Sequence, residues 1–115
     1  MVLPMILACT PAAAVSSSST APVDVTITSA GGETPVFRPA ETVVAAARPI
    51  SITFQNASHL PHNLTFIGIT GAATRTIVEP GASAELNLAP LAPGAYPFVC
   101  TIHDGMAGLL TIRTT

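Results

Sequence analysis

Residues 50–55 read ISITFQ, with Ile50, Ile52 and Phe54 alternating with Ser51, Thr53 and Gln55. A period of two puts one row of side chains in an apolar interior and the other in water, which marks a half-buried strand rather than a helix. The pattern recurs where Val23, Val25 and Ile27 alternate with Asp24, Thr26 and Thr28, and where Ala84, Leu86 and Leu88 alternate with Ser83, Glu85 and Asn87. Thr42–Ala46, Asn63–Ile69, Arg75–Glu79, Ala95–Val99 and Gly108–Arg113 are further candidate strands. Gly31-Gly32, Gly71, Pro80-Gly81 and Pro93-Gly94 lie between them and suit tight turns. No stretch carries a sustained helical period. The sequence predicts an all-β, Greek-key antiparallel β-sandwich of seven to eight strands.

The chain has 115 residues, 49% hydrophobic and 9% charged, enough for one domain with a tail. The formal net charge is −2, lysine is absent, and Arg38, Arg48, Arg75 and Arg113 are scattered singly. No basic face can be built from them, so no nucleic-acid partner is expected. The two cysteines, Cys9 and Cys100, stand far apart and in different surroundings. An apolar run from Val2 to Ala8 leads to Cys9, and a Ser-, Ala- and Thr-rich tract follows. The run is too short to span a bilayer. Ile6-Leu7-Ala8-Cys9 resembles a bacterial lipobox, which would lipidate Cys9 and attach the chain to a membrane; the alternative is a truncated secretion signal that is removed. Residues 1–21 therefore read as a signal or lipobox remnant with a flexible tether, and residues 22–115 as the folded domain. Both readings place the domain outside the cytoplasm, in a periplasm or on the outer face of a membrane.

Met1, Met5 and Cys9 belong to the leader; within the domain, every cysteine, histidine and methionine falls in two short segments. CTIHDGM, residues 100–106, contains Cys100, His103 and Met106; SHLPHN, residues 58–63, contains His59 and His62. The strand at 50–55 runs into the second segment and Ala95–Val99 runs into the first, so both loops can meet at one end of a sandwich. One thiolate, two imidazoles and a thioether form the ligand set of a blue-copper centre. Taken singly, Cys100 reads as a buried thiol, His103 as a loop histidine and Met106 as the start of the last strand's core. His59 reads as a rim residue, and Tyr96 and Phe98 as core.

Cys100-Thr-Ile-His103-Asp-Gly-Met106 resembles the Cys-x-x-His-x-x-Met ligand loop of small cupredoxins, most closely the amicyanin-like ones. Pro61-His62-Asn63 resembles the upstream histidine of that family, and Pro35-Val-Phe-Arg-Pro39, Glu79-Pro-Gly81 and Pro93–Cys100 agree with it. The resemblance implies one type 1 copper ion with His62, Cys100 and His103 as equatorial ligands and Met106 axial. It also implies that Asn63 ties the histidine loop to the cysteine loop. Plastocyanins place more residues between the histidine and the methionine and carry tyrosine where this chain has Val99, so their acidic docking mode is not carried over.

The function that follows is electron transfer between a redox donor and an acceptor outside the cytoplasm. These partners would dock on an apolar patch around His103 formed by Leu60, Pro61, Ile102, Met106 and Ala107, with the domain acting as a monomer. The alternative is a copper-binding module for storage, delivery or homeostasis. An enzyme is not expected, because three histidines cannot also furnish a catalytic copper cluster.

Overall fold

The computed structural model describes residues 21–114. The leader and tether expected over residues 1–21, and Cys9 with them, lie outside the described residues apart from Ala21. Eight strands follow in order: β1 (Val23–Ala30), β2 (Val36–Arg38), β3 (Glu41–Ala45), β4 (Ile50–Asn56), β5 (Thr65–Phe66), β6 (Ser83–Leu88), β7 (Gly94–Val99) and β8 (Ala107–Arg113). No helix occurs among the described residues.

The strands form two four-stranded sheets, ordered β2-β1-β4-β6 and β3-β8-β7-β5. The rows identified by alternation face inward: Val25 and Ile27 from β1, Ile50, Ile52 and Phe54 from β4, Ala84, Leu86 and Leu88 from β6. Phe66, Phe98, Leu110 and Ile112 meet them from the other sheet. Phe37 links the layers, its ring 5.9 Å from Phe54 and 5.0 Å from Phe98, edge-on to both. Such edge-to-face aromatic pairs add stability beyond the area they bury.

The sheets are mixed rather than purely antiparallel. β1 runs parallel to β4, with Val23 opposite Ile50 and Ser29 opposite Asn56, and β3 runs parallel to β8. Alternation reports which face a residue occupies; it is blind to the direction of the neighbouring strand. Parallel neighbours need a long crossover. Residues 31–49 supply it here, passing through β2 and then through β3 in the opposite sheet. As a result β1 and β4 point to the same end of the sandwich, called the metal pole below.

Two candidate strands were shortened or lost. Of Asn63–Ile69 only Thr65–Phe66 is a strand, and Arg75–Glu79 contributes a single bridge, Val78 with His62. A second bridge joins Thr65 to Ala73, so the register slips by two residues between the bridges and the chain around Thr76 bulges out. Side chains take over the missing rungs: Leu64 N donates to Thr74 Oγ1 at 3.1 Å, and Asn63 Nδ2 donates to Thr76 O at 2.9 Å. Val36–Arg38 is a strand that alternation did not reveal, because three residues are too few to show a period.

Gly108 begins the pairing of β8 with the aromatic core. A Cβ at this position would lie 2.3 Å from Phe98 Cζ and 3.0 Å from Ala40 O. Gly108→Ala should therefore displace Phe98 and lower stability by about 1–3 kcal/mol, read as a lower urea midpoint at unchanged m-value.

Candidate metal centre

His62 lies just beyond the end of β4, in a segment held by paired hydrogen bonds to Val78. His62 N donates to Val78 O at 3.2 Å, and Val78 N donates to His62 O at 2.8 Å. Cys100 follows β7 directly, and its loop is closed on itself. Cys100 N donates to Met106 O at 3.0 Å, and Met106 N reaches His103 O at 3.4 Å. The turn from His103 to Met106 needs a positive φ, which Gly105 supplies at +82°.

The two loops meet. Cys100 Sγ lies 3.8 Å from His62 Nδ1, and the rings of His62 and His103 are 4.7 Å apart between centroids. Cys100, His103 and Met106 line one surface hollow. Cys100 and Met106 are buried, His62 is fully buried, and His103 is half-buried. Among the described residues no trio of His, Cys, Asp or Glu forms a ready-made metal cluster. Proximity runs through the pairs just given, with a thioether from Met106 as the remaining soft donor.

Two features fit these residues to a metal. A nitrogen and a thiolate bound at about 2.0 and 2.3 Å in a trigonal set stand roughly 3.8 Å apart, the separation found here. The His62 ring is also unlike a satisfied core histidine. Its Nδ1 faces the sulfur, and its Nε2 is buried without a partner, although buried polar atoms are ordinarily hydrogen-bonded. His103 differs: its Nε2 lies 3.1 Å from Pro61 O, which leaves Nδ1 free.

Asn63 joins the loops. Its Nδ2 donates to Thr101 Oγ1 at 2.7 Å, and its Oδ1 accepts from Thr101 N at 3.0 Å and from Thr65 Oγ1 at 3.2 Å. Thr101 was not singled out from the sequence. The candidate strand Arg75–Glu79, with Thr74 before it, serves instead as the wall behind the histidine loop. His59 is exposed in the loop before Pro61. Phe98 is buried, and Tyr96 is half-buried with its hydroxyl donating to Ala92 O at 2.6 Å.

The family model for the cupredoxin-like domain matches residues 1–112. The chain belongs to the cupredoxin-like family. That membership implies copper binding, and no curated protein matches the chain by sequence. Several solved structures share the fold. Auracyanin A, described as a "blue" copper protein from the green thermophilic photosynthetic bacterium Chloroflexus aurantiacus, is 19% identical. The match covers 81% of this chain and 100% of that one, with a TM-score of 0.67. Auracyanin from Roseiflexus castenholzii is 24% identical over 81% of this chain and 98% of that one, TM-score 0.68. The copper-containing nitrite reductase of Thermus scotoductus is 18% identical over 83% of this chain but only 28% of that one, TM-score 0.64. The cupredoxin fold thus occurs both in small single-domain copper proteins and as one part of larger copper enzymes.

Burial, and secondarily the charge of neighbouring His103, hold the His62 imidazole below its ordinary pKa of 6.5. The unfolded chain then takes up a proton at His62 more readily than the folded one. The stability this residue contributes is fully present above about pH 6.5 and drains away as pH falls toward the lower folded value. Thermal melting of the metal-free protein should show a midpoint that declines below that pH, and His62→Gln should flatten the decline.

Proposed function

We propose that this cupredoxin-like domain is a type 1 copper electron carrier that moves single electrons between protein partners outside the cytoplasm. The observation that supports it most directly is the 3.8 Å approach of Cys100 Sγ to His62 Nδ1 between loops from opposite sheets. His62, Cys100 and His103 would hold one copper ion, with Met106 as the weak axial ligand. Copper in such a set cycles between Cu(II) and Cu(I) with little change of geometry.

The residues of the chain favour that use. Cys100, His62 and Met106 are all buried, which limits the access of water to these three donors. Asn63 holds the two ligand loops at fixed separation, so the donors need not rearrange when the charge changes. His103 alone reaches toward the surface. Around it Leu60 is 43% and Ile102 37% exposed, with Pro61 half-buried and Ala107 exposed. Met106, at 1% exposure, does not belong to that surface. A redox partner would dock there by apolar contact, in a short-lived complex. The leader-like run before Cys9 supports an extracytoplasmic setting.

Addition of Cu(II) to the metal-free protein should produce an intense visible thiolate-to-copper charge-transfer band; only weak d–d absorption would overturn the proposal. Cys100→Ser should abolish the band. Met106→Gln should retain the colour and lower the reduction potential, measured by cyclic voltammetry, and an unchanged potential would remove Met106 from the axial position.

A further inference from the structure

We propose that Asn56 is a positioning residue of the metal centre, acting through the main chain before His62 and through the Val78 carbonyl that receives the His62 amide. The proposal rests on the reading of His62 as a ligand. Asn56 ends β4 in the inward row of Ile50, Ile52 and Phe54, at 1% exposure. A carboxamide in that row is costly unless every polar atom finds a partner. Here both do. Asn56 Nδ2 donates to Leu60 O at 2.7 Å and to Val78 O at 2.8 Å. Oδ1 accepts from Ser29 Oγ at 2.8 Å and from Ser58 N at 3.0 Å, and lies 2.8 Å from Ser58 Oγ.

These partners surround His62. Leu60 stands two residues before it. Val78 O also accepts from His62 N, so one carbonyl serves both Asn56 and the candidate ligand's own amide. Ser58 extends the network, its hydroxyl lying 3.0 Å from Leu60 O and accepting from Leu60 N at 3.2 Å. Asn63 restrains the chain after His62, and Asn56 restrains the chain before it. The restraint matters because the His62 ring makes no hydrogen bond to a protein oxygen. Apart from the Cys100 sulfur at 3.8 Å from Nδ1, its position is set by backbone and packing. An apolar residue at 56 would strand the Ser29 hydroxyl and the Ser58 amide and leave the Val78 carbonyl to His62 N and the Leu60 carbonyl to the Ser58 hydroxyl, so the histidine loop would relax to find new partners.

The test compares Asn56→Ala with Leu88→Ala, which also opens the core but does so at the far end of the sandwich, where Leu88 pairs with Ile50. Two readouts are taken: amide hydrogen exchange at His62 and Ser58 in the metal-free protein, and Cu(I) affinity by competition with a chelator. Asn56→Ala should speed exchange at both amides by about 10-fold or more and weaken Cu(I) binding by about 10–100-fold, while Leu88→Ala leaves the affinity within about twofold of the parent. Ser58→Ala cuts the same network without touching the core and should shift both readouts in the same direction, which keeps the test decisive should Asn56→Ala fail to fold. His62 exchange and Cu(I) affinity no different from those of Leu88→Ala, in a protein whose parent turns blue with copper, would overturn the role of Asn56 alone. A parent without the thiolate band would overturn the functional reading and, with it, any role of Asn56 at a metal.

Discussion

The contact on which the site depends is the pair of hydrogen bonds between Asn63 and Thr101, which fastens a loop following β4 in one sheet to a loop following β7 in the other. Two sheets packed through apolar side chains can slide a little against each other at small cost, since dispersion contacts are individually weak and undirected. Hydrogen bonds are directional and short-ranged, and one carboxamide acting as both donor and acceptor fixes distance and orientation together. The 3.8 Å gap between Cys100 and His62 is a consequence of that lock.

The same division of labour runs through the whole domain. Among the described residues the buried polar side chains are Ser29, Asn56, His62, Asn63 and Thr74, and all five lie at or near the metal pole. Elsewhere the interior is mainly aliphatic, with the phenylalanines Phe37, Phe54, Phe66 and Phe98 between the layers and the Thr42 hydroxyl as a buried exception. The body is held by burial and the head by hydrogen bonds. Polar networks in a low-dielectric interior are rigid when complete and costly when broken, so the head is where substitutions alter geometry and the body is where they alter stability. Gly108 belongs to the body: its missing side chain makes room for Phe98.

Much of this was legible in the sequence because alternation maps directly onto faces. The rows of β1, β4 and β6 fell where Val25, Ile52 and Leu86 said they would. The two loops were legible because soft donors are rare and, beyond the first nine residues, confined to two places. Strand direction was not legible, since parallel and antiparallel neighbours impose the same period. The irregular pairing of the chain around Val78 was hidden too. Its Ile77 and Val78 look like strand residues, whereas Thr74 and Asn63 replace backbone rungs with side-chain ones. Asn56 could have been noticed as a polar residue in phase with an apolar row, but its partners lie 4, 22 and 27 residues away along the chain. Only the folded topology brings them together.

The parallel pairing of β1 with β4 also fixes where the chain enters the domain. Val23 sits beside Ile50, and Arg48 grips the carbonyl of Ala21 with Nε at 3.2 Å and Nη2 at 3.0 Å. That entry point lies the length of β1 from the histidines, roughly 25 Å at a strand's rise per residue. Whatever is joined upstream of Ala21 is thus attached at the heel of the molecule, the end opposite His103.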